Sequence, residues 1–499
     1  MRRLALASLW LLSLIIFTNL SCTTVTSRTT EAKRQTKIEL KPCRFPNHDN
    51  DLLCAKYSVY ENRAAQSGRK IALNIIVVPS RAAEPRPDPV FFLSGGPGQG
   101  AARIASFRED PLMRELRRER DLVFIDLRGT GDSNRLQCNN TVDRGSAQSY
   151  FPDIFETETI RACRAELEKI ANLRYYTTPV AMEDLDEVRA ALGYHKINLY
   201  GVSYGTLAAL QYVRRYGEQV RAAVLAGVST PATKLPLHFA RAAHDAMERL
   251  IKDCAGDESC RAAFPNLEGD FATVLEAVDK GPVTFEMVNP VSKLSQQVSL
   301  SRRAFVERLW QLLYDHSTAS LVPFVIQRAA QGDWAPFGKV AGRSRFSPAY
   351  AVALGTYLTV SCSESIPTIT EEEVVNESSR TFLGDQRTRR HQLACREWPR
   401  GEIAVEYYRP VASDVPILML SGELDPATPA KYGRAAAASL SNHRQVVLRN
   451  TPHSYQSSCA IRLSAAFLTS GSSGELDVSC ADNLRRPRFL TELPARYAQ

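Results

Sequence analysis

Apolar and polar positions alternate along the chain in blocks that predict strands and helices by turns. The segments KIALNIIVV, VFFL, LVFI, HKINLY and RAAVLAG are short and apolar, which predicts strands. AMEDLDEVRAALGY and TLAALQYVRRYG carry apolar residues at helical spacing, and the second helix is expected to stop at Gly217. Strands that alternate with helices in this way predict a mostly parallel sheet with helices on both faces.

A different pattern fills the middle of the chain. From about Pro231 to about Arg400, helical spacing dominates and buried strand patterns are scarce. Strand patterns return in VPILMLSGELDPATP and RQVVLRNTPHSYQ. We therefore predict a sheet-forming core in two segments, 41–230 and 401–499, that is interrupted by a helical cap at 231–400.

The N-terminus has the pattern of an export signal. MRR is followed by fourteen mostly apolar residues and then TNLSC, so that residues 1–22 combine a positive head, a short apolar core and small residues. The apolar run is shorter than the about 20 residues that span a membrane. LSC resembles a bacterial lipobox and predicts lipidation of Cys22, although Asn19 stands where an aliphatic residue is usual. A plain secretory signal is the alternative.

The predicted location follows from this signal. Residues 23–40 are polar and without periodicity, which predicts a flexible tether. We expect an exported protein that is periplasmic or held at the cell envelope by a lipid anchor.

Composition narrows the class of protein. The 499 residues are 44% hydrophobic and 23% charged, as in an ordinary soluble globular chain. The net charge is +8, but no run of Lys and Arg is interleaved with aromatic residues, so we expect no nucleic-acid partner. The sequence has no Cys-x-x-Cys or His-rich spacing, and we expect neither a metal site nor a cofactor.

The cysteines agree with export. Of eleven cysteines, ten remain without Cys22, an even number that an exported chain would pair. Connectivity does not follow from sequence alone. The most local pairing is Cys43–Cys54, Cys138–Cys163, Cys254–Cys260, Cys362–Cys395 and Cys459–Cys480.

A serine between two glycines marks the first candidate site. Gly201, Ser203 and Gly205 lie where the strand HKINLY passes into the helix TLAALQYVRRYG. A serine at such a junction sits on a sharp turn that exposes its hydroxyl to a base and a substrate. The pattern predicts a nucleophile, and a glycine-containing surface turn is the alternative.

A serine nucleophile needs a base and an orienting carboxylate. In serine hydrolases built on a parallel sheet, the carboxylate and then the histidine follow the serine, each beyond a later strand. Of eight histidines, only His453 lies in a loop after a late apolar strand. Asp425 follows the strand ILML, with Glu423 in reserve. The alternatives are that Asp425 caps the next helix and that His453 is an ordinary loop histidine.

The negative oxygen of a tetrahedral intermediate needs N–H donors. One candidate is the backbone N–H of Tyr204, and the others are Gly95, Gly96 and Gly98 in LSGGPGQG, where Pro97 has no N–H. A phosphate-binding loop is the alternative, but it lacks a following Lys and the GxGxxG order.

Five motifs in order carry a resemblance. SGGPGQG, DLRGTGDS, GVSYG, GELDPATP and TPHS resemble the prolyl aminopeptidase and tripeptidyl aminopeptidase branch of the α/β hydrolases. The resemblance implies an α/β-hydrolase fold, with a mostly parallel central sheet, helices on both faces and an inserted helical cap. It implies a tripeptidyl-aminopeptidase-like C-terminal region at 401–499. It also implies Ser203 as nucleophile, His453 as base, Asp425 as orienter, and Gly96 and Tyr204 as oxyanion donors.

The same resemblance bears on other residues. VSCSES and ACREWP look like paired cysteine segments of exported tripeptidyl-aminopeptidase-like proteins, which favours Cys362–Cys395. Asp126 and Arg128 in DLRGTG are expected to be structural. Ser94 stands where prolyl aminopeptidases usually carry His, which argues against strict release of proline.

The predicted reaction is acyl transfer from a peptide. We expect an exported aminopeptidase that releases N-terminal residues or short N-terminal peptides from substrates with a free N-terminus. A free α-ammonium needs a carboxylate near the cleft, and Glu364 in SCSES is the candidate. The alternatives are an exported carboxylesterase for small acyl esters and a non-catalytic binding lipoprotein on a hydrolase scaffold.

Overall fold

The apolar runs of the core pair into one nine-stranded sheet. In this computed structural model, the described residues are 38–44, 52–107, 109–138, 145–151, 155–289, 291–342, 352–472 and 474–497. The predicted export signal 1–22 with Cys22, and the tether up to residue 37, lie outside them. No helix in the described part of the chain is long and apolar enough to cross a membrane.

Strands predicted from the sequence are present at the expected places. The strands are β1 (Lys41–Cys43), β2 (Leu52–Tyr60), β3 (Lys70–Val78), β4 (Val90–Leu93), β5 (Leu122–Ile125), β6 (Ile197–Val202), β7 (Val220–Ala226), β8 (Val283–Val288), β9 (Ser295–Leu300), β10 (Ile417–Gly422) and β11 (His443–Leu448). The order in the large sheet is β1-β2-β3-β5-β4-β6-β7-β10-β11. The six strands β5, β4, β6, β7, β10 and β11 run parallel to one another. The pairs β1–β2, β2–β3 and β3–β5 are antiparallel.

Helices follow most of the parallel strands. They are α1 (Pro111–Leu116), α2 (Thr157–Leu167), α3 (Thr178–Ala191), α4 (Tyr204–Tyr216), α5 (Phe239–Gly256), α6 (Glu258–Ala263), α7 (Leu267–Lys280), α8 (Arg302–Leu312), α9 (His316–Ala319), α10 (Val322–Ala330), α11 (Ala335–Gly342), α12 (Leu354–Val360), α13 (Glu371–Ser378), α14 (Gln386–Glu397), α15 (Ala430–Ala437) and α16 (Ser458–Ser470). Gly217 ends α4, as predicted.

Both faces of the sheet are buried. Successive residues of β4 point to opposite sides, so that Phe91 and Leu93 pack in one cluster with α3 and α4. Val90 and Phe92 pack in another cluster with α1 and α16. Burial on both faces explains why these strands are apolar at every position rather than at every second one. The mostly parallel sheet with helices on both faces is confirmed.

The cap has a hydrophobic cluster of its own. Side chains of α5, α7, α8, α10 and α11 form it. Its strands β8 and β9 pair as an antiparallel hairpin from Val283 opposite Leu300 to Val288 opposite Ser295, which the helical prediction for the cap did not include. The segment predicted as cap contributes to two clusters, because α12 places Leu358 and α14 places Cys395 in the cluster on the sheet.

Five disulfide bridges join the described cysteines. The pairs are Cys43–Cys54, Cys138–Cys163, Cys254–Cys260, Cys362–Cys395 and Cys459–Cys480. The most local pairing is therefore confirmed, including Cys362–Cys395, which the resemblance favoured. Each bridge closes a short loop and limits the conformations of the unfolded chain.

Candidate active site

The candidate nucleophile lies on the turn between β6 and α4. Ser203 has φ 56° and ψ −124°, a conformation that non-glycine residues rarely adopt and that the surrounding packing must hold. A side chain at Gly205 would collide with the carbonyl oxygen of Leu93, and one at Gly201 would lie 2.6 Å from the carbonyl oxygen of Gly205. Gly205 therefore lets the turn pack against the end of β4, and Gly201 lets the end of β6 pack against the first turn of α4.

The backbone of Ser203 is fixed while its hydroxyl is left open. Its N–H donates to the carbonyl oxygen of Ala226 on β7 at 2.9 Å. Its carbonyl oxygen accepts from the N–H of Thr206 at 2.9 Å and from the Thr206 hydroxyl at 2.6 Å. The Ser203 side chain lines a cavity beneath the cap. A hydroxyl held in this way can meet a base and a carbonyl group from the cavity side.

The candidate carboxylate follows β10 and is saturated with donors. Oδ1 of Asp425 accepts from the N–H groups of Ala427 at 2.8 Å and Thr428 at 2.7 Å. Oδ2 accepts from the hydroxyls of Thr428 and Tyr455 and from Nδ1 of His453, each at 2.7 Å. Burial by itself raises the pKa of this carboxyl, but His453 and the other donors outweigh it and lower the pKa to about 2. Asp425 is thus ionised at neutral pH.

The reserve carboxylate Glu423 is placed differently. Its Oε1 accepts from Arg249 at 3.2 Å and its Oε2 from the N–H of Asn450 at 2.8 Å. It is not among the residues that line the cavity. Asp425 rather than Glu423 contacts the candidate base.

The candidate base is His453, in the loop after β11. Because Asp425 accepts from Nδ1, that nitrogen carries the proton and Nε2 keeps a lone pair. The edge of the Tyr314 ring packs on the imidazole with 5.0 Å between centroids, and a side chain at Gly227 would lie 3.2 Å from Cε1 of His453. These contacts fix the ring. Among the described residues, Nε2 has no hydrogen-bond partner and is available to a proton.

Ser203 and His453 line the same cavity but are not hydrogen bonded to each other in this structure. Catalytic hydrogen bonds are often long without substrate and shorten when the complex forms. The structure brings together Ser203, His453 and Asp425, as predicted.

The candidate oxyanion donors are backbone N–H groups of α4 and of the glycine loop. Tyr204 is the first residue of α4, so its N–H has no acceptor within the helix. Gly95 and Gly96 line the cavity, and a side chain at Gly95 would lie 3.2 Å from Cβ of Ser203. Gly98, the third candidate donor, is not a lining residue. Tyr204, Gly95 and Gly96 therefore all line the cavity with Ser203, and Gly95 is the one of the two glycines found in close approach to the serine.

The loop DLRGTG supports this region from behind. Asp126 accepts from the N–H groups of Ala102 and Asp132, each at 2.9 Å, which ties the glycine loop to the end of β5. Arg128 is 1% exposed and donates to both oxygens of Asp184 on α3 at 2.6 and 2.8 Å. These contacts agree with the structural roles that the resemblance implies.

The cavity has a volume of about 190 Å³ and is mainly apolar. Apolar side chains from core and cap line it, including Phe155, Leu235, Phe239, Trp310, Val352 and Leu354. The indole N–H of Trp310 donates to the carbonyl oxygen of Pro426 at 2.9 Å, which ties the cap to the Asp425 loop. In the part of the chain that the structure describes, Arg387 lines the cavity and no carboxylate does.

The structure contradicts the prediction that Glu364 binds the substrate amine. Glu364 is 2% exposed and does not line the cavity. Its Oε1 accepts from the N–H of Thr178 at 2.6 Å, and its Oε2 accepts from the Thr178 hydroxyl at 2.8 Å and from Tyr407 at 2.5 Å. The Thr178 hydroxyl is also 2.6 Å from the Tyr204 hydroxyl. A π-helical turn, Ser361–Ser365, directs the carboxyl into the core rather than the cavity.

The burial of Glu364 predicts a dependence of stability on pH. Burial raises its pKa from 4.5 to about 7, against the opposing effect of the Tyr407 and Thr178 donors. The folded state thus holds a proton that the unfolded state releases above pH 4.5, so stability from this group is present below that pH and lost as the pH rises towards 7. We expect the unfolding free energy of the wild type to fall by about 3 kcal/mol over this range because of Glu364. In Glu364→Gln this part of the fall should be absent.

Urea unfolding at pH 4.5 and 7.5, with the disulfides intact, measures this effect. Glu276→Gln is the matched control, because Glu276 is exposed on α7. The expectation would be contradicted if the unfolding free energy changed by the same amount between the two pH values in wild type and in Glu364→Gln.

Sequence reasoning missed several residues of the site. Thr428 and Tyr455 both donate to Asp425, and Tyr314 packs on His453. Thr428 lies within the motif GELDPATP and Tyr455 directly follows the motif TPHS, so proximity in the chain was a usable signal. Tyr314 and Arg387 come from outside those motifs, and only the packing of the cap shows them.

The chain is similar to known proteins over most of its length. The family model for the alpha/beta hydrolase fold matches residues 88–457. The chain is 26% identical over 457 residues to the serine protease Hip1 of Mycobacterium tuberculosis, covering 82% of this chain and 83% of that protein. It is 27% identical over 198 residues to a tripeptidyl aminopeptidase of Streptomyces lividans, 37% of each chain. A solved structure, the proline iminopeptidase of Mycobacterium smegmatis, aligns with TM-score 0.41 and 17% identity over 83% of this chain and 98% of that one.

The family match includes the segments that hold Ser203, Asp425 and His453. The matched relatives are named as a serine protease and an aminopeptidase. The chain therefore belongs to the alpha/beta hydrolase fold family, and within it is a serine hydrolase related to peptidases.

Proposed function

We propose that Ser203, His453 and Asp425 are the catalytic triad of an exported serine peptidase that releases N-terminal residues or short N-terminal peptides. The observation that carries the proposal is the 2.7 Å contact between Asp425 Oδ2 and His453 Nδ1 beside the cavity that Ser203 also lines. A buried carboxylate, a base with a free nitrogen and an exposed hydroxyl are the three parts that acyl transfer needs.

In the first half of the reaction, His453 Nε2 takes the proton of the Ser203 hydroxyl as Oγ attacks the carbonyl carbon. The oxygen of the tetrahedral intermediate accepts from the N–H groups of Tyr204 and Gly96, each worth about 3 kcal/mol of barrier. The imidazolium then gives its proton to the leaving amine, the C–N bond breaks, and an acyl-enzyme remains. Water repeats the sequence and releases the acid.

Asp425 stabilises the imidazolium that forms in each half of the reaction. With a pKa of about 2, this carboxylate stays charged while His453 gains and loses its proton. The donors from Thr428 and Tyr455 keep it in place, so that His453 is held in the tautomer with the free Nε2.

The substrate class follows from the cavity and the relatives together. Apolar and aromatic walls suit an apolar acyl residue. The names of the relatives point to peptide substrates. Removal from a free N-terminus is supported by the tripeptidyl aminopeptidase relative, and export by the five disulfides, since such bridges persist in oxidising compartments. Anchoring through a lipidated Cys22 remains part of the proposal.

One observation favours the alternative of a carboxylesterase. An aminopeptidase needs a carboxylate for the substrate ammonium, and none lines the cavity among the residues that the structure describes. The same triad would cleave a small acyl ester without such a group.

A panel of reporters separates the two functions. The panel contains naphthylamides of one, two and three residues, each with a free and with an acetylated N-terminal amine. It also contains naphthyl esters of the same acyl groups. We expect hydrolysis of the amides, with higher kcat/KM for free amines. Hydrolysis of the naphthyl esters, faster for acetylated than for free amines and without cleavage of any amide, would support the esterase instead.

A further inference from the structure

One polar side chain of the glycine loop borders the cavity beside the nucleophile. In the segment GGPGQG, residues 95–100, Gln99 is the only residue with a polar side chain. It lines the cavity together with Ser203. Gln99 Oε1 and Ser203 Cβ each lie 3.2 Å from the point that a side-chain carbon at Gly95 would occupy, so the amide oxygen is close to the nucleophile.

The amide group of Gln99 is free to bind a ligand. Within the described part of the chain, this amide group forms no hydrogen bond. Neither its Oε1 nor its Nε2 is among the buried side-chain atoms without a partner, so both atoms are accessible to solvent. An amide that bonds to nothing in the protein and borders a mainly apolar cavity is available for a polar group of the substrate.

The backbone on either side of Gln99 is held in place. The carbonyl oxygen of Gly98 accepts from the N–H of Ala353 at 3.0 Å. A side chain at Gly100 would lie 2.6 Å from Oδ1 of Asp126, the carboxylate that ties the glycine loop to the end of β5. The Gln99 side chain therefore extends from a fixed backbone, which reduces the entropy that is lost when its amide binds a substrate.

The atom of Gln99 that lies near Ser203 decides which group it binds. Oε1 is a carbonyl oxygen, which accepts hydrogen bonds and does not donate them. The oxyanion is itself an acceptor, and backbone N–H groups are its donors. On the acyl side of a peptide substrate, the donor nearest to the attacked carbonyl group is the N–H of the α-nitrogen, which is attached to the neighbouring carbon atom.

No carboxylate among the described residues that line the cavity competes for this N–H. The other side-chain amide of the lining belongs to Gln311, and its Oε1 already accepts from Nη1 of Arg308 at 2.7 Å. A neutral amide oxygen such as Oε1 of Gln99 accepts from an ammonium, an amine or an amide N–H alike. It therefore suits the α-nitrogen in a cavity that has no acidic group.

We propose that Gln99 is a specificity-determining residue, whose Oε1 accepts a hydrogen bond from the N–H on the α-nitrogen of the acyl residue that Ser203 attacks. The inference rests on the proposed function, because attack by Ser203 sets the place of the acyl residue. It deepens that function, since selection of the substrate depends on an α-N–H rather than on a carboxylate that pairs with an ammonium. A simple acyl ester gains nothing from Gln99.

Four naphthyl esters test this role, because ester hydrolysis reports on the site whether or not amides are cleaved. Their acyl groups are leucine, N-acetyl-leucine, 2-acetoxy-4-methylpentanoate and 4-methylpentanoate. The acetoxy group has the shape of the acetamido group but carries an oxygen in place of the N–H. We expect wild-type kcat/KM to be about tenfold higher for the N-acetyl-leucine ester than for its acetoxy analogue. In Gln99→Met the two values should be equal, because only the ester with an N–H loses a hydrogen bond.

Gln99→Glu is the complementary variant. A carboxylate at this position would pair with the ammonium of the leucine ester but not with the acetylated amine, so the ratio of kcat/KM for the leucine ester to that for the N-acetyl ester should rise by about tenfold. Gln331→Met is the matched control, because Gln331 is exposed and does not line the cavity. Its selectivity should be that of the wild type.

Three results in folded protein, as checked by thermal melting, would overturn the assignment. The first is equal wild-type hydrolysis of the N-acetyl ester and its acetoxy analogue. The second is a change in Gln99→Met by the same factor for all four esters, which would mean that Gln99 acts on the oxyanion or on the loop. The third is an unchanged ratio of leucine to N-acetyl ester in Gln99→Glu. Failure of the proposed function would appear separately, as hydrolysis of the esters that is retained in Ser203→Ala or absent in the wild type.

Discussion

Ser203→Ala is expected to lower kcat/KM for aminoacyl or peptidyl naphthylamides by about a millionfold, with the fold and the disulfides unchanged. The hydroxyl is the only group on the β6–α4 turn that can form the acyl-enzyme, and its backbone geometry depends on Gly201 and Gly205 rather than on Oγ. Binding groups and oxyanion donors remain, so a residual rate above that in water is expected.

Ser441→Ala is the matched control for this variant. Ser441 is exposed and does not line the cavity. Its loss should leave turnover at the wild-type rate. Turnover by folded Ser203→Ala at a similar rate would rule out the nucleophile.

Asp425→Asn is expected to lower kcat by about ten-thousandfold with little change in KM. An amide at this position cannot stabilise the imidazolium, and its NH₂ group can donate to Nδ1 and so favour the wrong tautomer of His453. The loss should therefore fall on the chemical step. Steady-state kinetics on the preferred reporter, with thermal melting to check the fold, measures it.

Glu423→Gln distinguishes the two carboxylates after β10. Glu423 contacts Arg249 and the N–H of Asn450 instead of the base, so its substitution should change kcat less than about threefold. A larger loss for Glu423→Gln than for Asp425→Asn would mean that the orienting carboxylate is misassigned.

Local pattern was enough to predict the nucleophile turn. Strand, glycines and helix around Ser203 lie within about twenty neighbouring residues, and each fold element there has a strong apolar signal. Asp425 and His453 were predictable because parallel strands bring their carboxyl ends to one edge of the sheet, so the loops after β10 and β11 meet near that of β6. By contrast, β2 was missed: only Leu52 and Val59 are buried in it, which gives a weak periodicity.

Glu364 shows why the remaining prediction failed. The sequence does not show which way a side chain points. The prediction that Glu364 faces the cleft rested on its closeness in the chain to the bridged Cys362. The partners of its carboxyl, Thr178 and Tyr407, are 186 and 43 residues away along the chain. Arg387 was missed for a related reason. The segment QRTRRHQLACRE is so polar that it predicts a solvent-exposed helix, and only the packing of Glu307 and Trp310 against Arg387 shows that this side chain is buried.

The central claim is that Ser203 is activated by His453 and acylated during the reaction. A fluorophosphonate probe, followed by proteolysis and mass spectrometry of the modified peptide, tests it most directly. The account predicts a single adduct on the Ser203 hydroxyl, absent in Ser203→Ala and formed at least about a hundredfold more slowly in His453→Gln. An adduct on another residue, or no adduct on folded wild-type protein, would contradict the account.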